Sequence, residues 1–303
     1  FNVDLSDAEY PIGRQELLSA VKEADILVPT IGDKIDASIL SAASSNLKLI
    51  ANYGAGYDHI DIKTALQRGI IVTNTPSVLT TDTADMTMAL ILAIPRKLRE
   101  GHEEMQSGSW KGWSPSAMIG MRITGKKLGI LGMGRIGQAI AKRAKAFDLD
   151  INYHNRRRLH QNIEESLSAT YWENLEEMLS TIDILVVSAS LNPSSLYLLD
   201  AKCLGRMKQS AYLVNISRGE IIDQKALVRQ LKEGRLGGAG LDVYDSEEII
   251  GSDFKRLKNV FLLPHMGSST LEGRIEMGEK VIINIKTFID GHRPPDQIVP
   301  SML

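Results

Sequence analysis

Apolar residues along this chain fall into short, β-branched runs separated by stretches with helical spacing. The runs are Asp25 to Pro29, Leu47 to Asn52 and Ile70 to Thr73, then Lys127 to Leu131, Ile151 to Asn155, Ile182 to Ser188, Tyr212 to Ile216 and Val260 to Leu263. Continuous apolar runs belong to strands buried on both faces, and strands alternating with helices build parallel sheets covered by those helices. Between the two sets of strands lies one long helical stretch, Thr80 to Gln106, followed by a loop rich in Gly, Trp and Ser from Ser107 to Ser116. A last helix, Leu271 to Asp290, follows the final strand. The pattern predicts an α/β fold with two domains. Crossings between them are expected near Thr73 to Ser77 and near His265 to Thr270, so residues 1–75 and 270–303 form one discontinuous domain. Residues 76–269, including the long helix, form a second domain inserted into the first.

Size and composition agree with two cores, since 303 residues exceed the usual single domain and 43% of them are hydrophobic. A formal charge of -2 provides no global field for nucleic acid or an anionic membrane, so neither is an expected partner. The single cysteine, Cys203, rules out an internal disulfide framework and a multi-cysteine zinc site; no metal is expected, and a reducing, cytoplasmic location is. The longest apolar stretch, Met86 to Pro95, is about half the ~20 residues of a membrane-spanning helix. The start at Phe1 shows neither a basic segment nor an apolar one of signal-peptide type.

Gly132-Met133-Gly134-Arg135-Ile136-Gly137 follows the run Lys127 to Leu131 and opens a helix, the setting that a dinucleotide fingerprint requires. Gly132 permits the tight turn, Gly134 lets backbone approach a pyrophosphate, and Gly137 allows close helix packing, while the helix start supplies free N–H groups. Both domains are therefore expected to be Rossmann-like, with parallel sheets, the inserted one binding the dinucleotide. The next strand would end in an acid where NAD is bound through its ribose hydroxyl. Here it ends in Asn155, followed by Arg156, Arg157 and Arg158. A neutral amide beside guanidinium groups suits a 2′-phosphate, which favours NADP(H).

Three polar segments follow later strands: Asn215 to Gly219, Gly240 to Glu247, and Pro264 to Thr270. Reduction of a 2-oxo acid requires a cation for the carboxylate, a proton donor for the nascent alkoxide, and a group that keeps the donor protonated. Arg218, His265 and Glu247 match these requirements in turn.

With these residues in place, the chain resembles the D-isomer-specific 2-hydroxyacid dehydrogenases, particularly their glyoxylate/hydroxypyruvate reductase branch, from about Ala24 to Leu303. The resemblance implies that Arg218 binds substrate, that His265 is the acid/base and that Glu247 is its partner. It also implies that Asn52 to Asp61 is the substrate loop, with N–H groups of Ala55 and Gly56 facing the carboxylate, physically a Gly-rich anion nest. Ile216, Ser217, Asp242 and His265-Met266-Gly267 would line the nicotinamide, with Arg218 at the same edge and Thr83 a further cofactor contact. Asn155, Arg156 and Arg157 would hold the adenosine phosphate. Trp110 and Trp113 would shape the pocket across a homodimer interface.

The pattern also departs from the family. Glu248 stands where the family often has Pro, and Ser188 to Pro193 lacks the usual Pro/Thr spacing, so no cofactor residue is carried over from it. The first strand and helix of the substrate domain are expected to be trimmed before Phe1. The expected activity is reduction of glyoxylate or hydroxypyruvate by NADPH. Rival readings are a nucleotide-sensing corepressor, and an NAD-linked D-2-hydroxyacid or phosphoglycerate dehydrogenase, against which the absent acid at Asn155 speaks.

Overall fold

The computed structural model describes residues 2–6, 10–245 and 252–300. In chain order the elements are α1 (Arg14–Glu23), β1 (Ile26–Leu27), α2 (Ala37–Ala42), β2 (Leu49–Ala51), α3 (Ile62–Gln67), β3 (Ile71–Thr73), α4 (Thr80–Ala93) and α5 (Leu98–Gln106). There follow β4 (Lys127–Leu131), α6 (Arg135–Lys145), β5 (Asp150–His154), α7 (Gln161–Leu167), β6 (Thr170–Tyr171), α8 (Leu175–Thr181) and β7 (Ile184–Val187). The chain continues through α9 (Ala201–Leu204), β8 (Tyr212–Asn215), α10 (Gln224–Lys232), β9 (Gly238–Leu241), α11 (Ser252–Lys255), β10 (Val260–Leu262) and α12 (Leu271–Ile289). It divides into two compact units, one made of residues 1–79 and 270–303, the other of residues 80–269.

The first unit carries a three-stranded parallel sheet in the order β1-β2-β3. All of β2 is buried, and its two faces serve different helices. Ile50 joins Leu17 and Val21 of α1 and Ile39 and Leu40 of α2, whereas Leu49 and Ala51 pack with Val281 of α12. A strand covered on both sides gains nothing from polar alternation, which is why this stretch reads as an unbroken apolar run.

The second unit holds a seven-stranded parallel sheet in the order β10-β9-β8-β7-β4-β5-β6. Its central strands are likewise shared between two cores. Ile184 and Val186 of β7 face Leu90 and Ile91 of α4 and Ile140 of α6, while Leu185 and Val187 face Met178 and Leu179 of α8 and Leu227 of α10. From β4 the chain adds β5 and β6 on one side, then returns to place β7 to β10 on the other. That reversal leaves a crevice at the carboxyl ends of β4 and β7, the usual ligand position in a doubly wound sheet.

Two features differ from the sequence pattern. The stretch from Thr80 to Gln106 is two helices rather than one, because Pro95 cannot donate to the helical ladder and its ring crowds the carbonyl four residues back. Lys97 then takes a left-handed conformation, φ 54°, at the start of α5. The sheet also contains β6 and β9, which no apolar run announces. In β9 the position facing α4 is Gly240, where a Cβ would lie 2.3 Å from Ile94 Cδ1. Close packing of the helix on the strand has removed the side chain that would have marked the strand in the sequence.

Candidate active site

The Gly-rich loop leaves β4 inside that crevice. Gly132 has φ 99°, and a Cβ there would lie 2.5 Å from the backbone nitrogen of Ala189, so both the conformation and the approach of the turn after β7 require glycine. At Gly137 a Cβ would lie 2.3 Å from the Gly132 carbonyl oxygen, which seats α6 tightly on the loop. Gly134, by contrast, faces open space. It is the N-cap of α6 and provides no side-chain cap, so the N–H groups at Arg135 and Ile136 open toward that space. A pyrophosphate fits this arrangement, with backbone donors at one end of an 11-residue helix and no side chain in the way.

Two side chains shape this loop, Ser188, which the sequence pattern did not single out, and Asn155, which it did. Ser188 Oγ donates to the Gly132 carbonyl at 2.6 Å. Asn155, at the end of β5, accepts from Met133 N at 2.8 Å through its Oδ1. Beyond Asn155 the three arginines separate into two kinds. All three are exposed, but only Arg158 is paired among the described residues, in a bidentate ion pair with the buried Glu164, Nη2 to Oε2 at 2.8 Å and Nε to Oε1 at 2.9 Å.

At the other side of the sheet the strand register sets the chemistry. Asn215 of β8 is level with Leu241 of β9, and Leu241 with Leu262 of β10. Arg218 lies three residues past the first of these, Asp242 one past the second, and His265 three past the third. Neighbouring strands lie about 4.8 Å apart, so β8 and β10 are separated by about 10 Å, a span that two side chains can share over one small molecule.

Each segment is fixed by its own contacts. Asn215 Nδ2 donates to the Arg218 carbonyl and its Oδ1 accepts from Ser217 N, while Arg218 Nη1 donates to the Ser217 carbonyl at 2.7 Å. Gly219 lies so close to the backbone of Tyr244 that a Cβ would come within 1.8 Å of its carbonyl carbon. The buried carboxylate of Asp242 accepts from Met266 N and Gly267 N, both at 2.7 Å, and so holds the turn that carries His265. His265 itself has φ 55°, a conformation uncommon for a side chain of its size. A Cβ on Gly267 would lie 2.9 Å from Asp242 Oδ2 and 3.6 Å from Thr83 Cγ2, so Thr83, Asp242 and Gly267 come together. Ile216 is buried and Ser217 half-buried beside them. Glu247 lies outside the described residues.

In the first unit, three consecutive carbonyls of the loop after β2 are turned inward by side-chain amides. Asn52, fully buried, donates through Nδ2 to the carbonyls of Gly54 and Gly56 at 3.0 and 2.8 Å, and Asn74 Nδ2 donates to that of Ala55 at 2.7 Å. His59 Nε2 lies 3.0 Å from Asn52 Oδ1, which fixes the amide's orientation. In a trans peptide the N–H points opposite to the preceding carbonyl, so Ala55 N–H faces away from Asn52 and Gly56 N–H away from Asn74. Neither donates a backbone hydrogen bond among the described residues. The result is a pair of open donors suited to a carboxylate.

Comparison with known proteins gives a consistent result. Residues 88–267 match the family model described as D-isomer specific 2-hydroxyacid dehydrogenase, NAD binding domain. A protein named glyoxylate reductase from Pyrococcus furiosus is 43% identical over 97% of this chain and 88% of its own length. A solved structure from Thermus thermophilus superposes with a TM-score of 0.88 at 40% identity, covering 95% of this chain and 90% of that one. The NADPH-dependent glyoxylate/hydroxypyruvate reductase of Sinorhizobium meliloti, solved with NADP and malonate, has a TM-score of 0.85 at 32% identity, covering 93% and 86% of the two chains.

Proposed function

We propose, since this chain belongs to the D-isomer specific 2-hydroxyacid dehydrogenase family, that it reduces glyoxylate or hydroxypyruvate to the 2-hydroxy acid with NADPH as its cofactor. It is an oxidoreductase that converts a 2-oxo acid to a 2-hydroxy acid and binds a nicotinamide dinucleotide. The observation that carries the residue assignment is the level set of three strand ends bearing Arg218, Asp242 and His265. When bound, the reduced nicotinamide supplies a hydride to the carbonyl carbon.

The roles of this chain's own residues follow from their chemistry. Arg218 binds the substrate carboxylate and polarises the carbonyl oxygen, stabilising the negative charge that grows there. The N–H groups of Ala55 and Gly56 bind the same class of group, a carboxylate. His265 gives its proton to the oxygen as the hydride adds to carbon, so the product leaves as a neutral alcohol. Glu247 is the carboxylate proposed as the partner of that imidazole. Asp242 acts through the backbone, holding the His265 turn. Gly132, Gly134, Arg135, Ile136 and Gly137 receive the pyrophosphate, and Thr83, Ile216, Ser217 and Gly267 line the nicotinamide.

The preference for NADPH rests on Asn155, whose neutral side chain replaces an acid, and on the exposed guanidinium groups of Arg156 and Arg157. Steady-state rates with glyoxylate and hydroxypyruvate, each with NADPH and NADH, test this reading. Wild-type enzyme is expected to favour NADPH, and the double variant Arg156→Ala with Arg157→Ala to lose that preference through a rise of about 10- to 100-fold in the KM for NADPH, the worth of two charge-assisted phosphate contacts. Equal use of both cofactors by the wild type would end the NADPH assignment.

A homodimer is the proposed assembly. Helix α5 has no buried residue among those described, and it and the following loop expose Leu98, Met105, Trp110, Trp113, Met118 and Ile119. Apolar surface of this extent on adjacent segments marks an interaction site. Light scattering should give the mass of two chains, and a stable single-chain mass would remove this part of the reading. The lone Cys203 keeps the cytoplasm as the proposed compartment. No helix among the described residues is long and apolar enough to cross a membrane.

A further inference from the structure

The three arginines after β5 look equivalent in sequence, yet the structure gives the third a different task. Its guanidinium is held by Glu164 of α7 and lies 5.6 Å from the ring centroid of Tyr171 on β6. Glu164 also accepts from the hydroxyl of the buried Tyr153 of β5 at 2.5 Å, and that hydroxyl accepts from Leu159 N at 3.0 Å. Burial, and then the hydrogen bond to Glu164, push the Tyr153 hydroxyl up to about 12, while Arg158, and then Tyr153, hold the Glu164 carboxyl below its ordinary value. At neutral pH the proton therefore stays on the phenol and the negative charge on Glu164. The beginning of the same loop is anchored too, because Asn155 accepts from Met133 N through its side chain and from the Tyr171 hydroxyl through its carbonyl, at 2.8 and 3.4 Å.

Residues 155 and 158–159 are thus tied down on both sides of Arg156 and Arg157, which are exposed and carry no hydrogen bond or ion pair to the described residues. We propose that Arg158, Glu164, Tyr153 and Tyr171 form a positioning frame for cofactor choice, holding Arg156 and Arg157 ready for the 2′-phosphate, and that Arg158 is not itself a phosphate ligand. This rests on the NADPH reading above. The physical reason is preorganisation. Two long, flexible cations on a free loop would lose much of their binding energy to ordering, and the frame removes part of that cost before the cofactor arrives.

The sign of one substitution separates a frame from a ligand. If Arg158 bound the phosphate, Glu164→Gln would release it and tighten NADPH binding. As a frame, Glu164→Gln and Arg158→Ala should each raise the KM for NADPH about three- to tenfold, and the double variant should do no worse than either single one, because both break the same connection. The KM for NADH and both kcat values should stay within about twofold, a split that a general loss of structure would not produce, and Arg158→Lys should recover part of the NADPH affinity. The Arg158 side chain is 65% exposed, so its truncation leaves the core intact. Tighter or unchanged NADPH binding in Glu164→Gln, or equal losses for both cofactors, overturns the frame. A wild type indifferent to the 2′-phosphate overturns the NADPH reading and the frame with it, whereas a preference lost in Arg156→Ala with Arg157→Ala but kept in Glu164→Gln overturns the frame alone.

Discussion

Arg218→Ala is expected to lower kcat/KM for the 2-oxo acid by about 10³- to 10⁴-fold, because one truncation removes both a charged ground-state contact and a stabiliser of the developing alkoxide. The guanidinium gives this segment's backbone one contact, to the Ser217 carbonyl, and the other anchors come from different residues. Asn215 holds the Arg218 carbonyl and Ser217 N, and Gly219 is fixed by its approach to Tyr244. The variant should therefore fold and bind NADPH within a few-fold of the wild type. Arg218→Lys should recover only part of the loss, since an ammonium keeps the charge without the planar, bidentate fit to a carboxylate. Steady-state kinetics beside a cofactor titration provide the check. A loss below about tenfold is too small for this role, since a single oxyanion contact is usually worth about 10²-fold or more.

The second large effect is expected at His265. Its φ of 55° makes alanine a poor probe, because strain would be added to the loss of the imidazole. Asparagine tolerates the left-handed region better, so His265→Asn removes the proton donor while the turn stays anchored by Asp242 on Met266 N and Gly267 N. The expected result is a fall in kcat of about 10² to 10⁴, the usual worth of a placed general acid, with NADPH binding retained. A variant that turns over within tenfold of the wild type would show that the proton comes from elsewhere.

Much of this molecule can be read from its sequence, for physical reasons that differ between residues. Strands such as β2 and β7 are covered on both faces, and their apolar runs follow directly from that burial. The glycines of the loop after β4 were legible because their spacing reflects demands on the backbone, and the structure shows those demands at Gly132 and Gly137 as approaches that no Cβ could fit. What could not be read lies where a side chain has been removed or redirected by tertiary packing. Strand β9 is silent because Gly240 makes room for Ile94. The break after α4 was signalled by Pro95, but the apolar spacing on either side of it masks the signal. Pattern alone gives Arg158 the same meaning as Arg156 and Arg157, since its partner Glu164 becomes a neighbour only when α7 packs behind β5. The inward turn of the carbonyls from Gly54 to Gly56 depends on Asn52 and Asn74, and only the second of these lies outside the loop itself.

The central claim is that hydrogen passes directly from the bound nicotinamide to the carbonyl carbon of a 2-oxo acid, and isotope tracing tests it without presupposing any residue's role. Wild-type enzyme supplied with glyoxylate and NADPH deuterated at the transferable position should release glycolate carrying that deuterium on its carbinol carbon. Unlabelled glycolate, or NADPH that binds while no 2-oxo acid is reduced, would contradict the account.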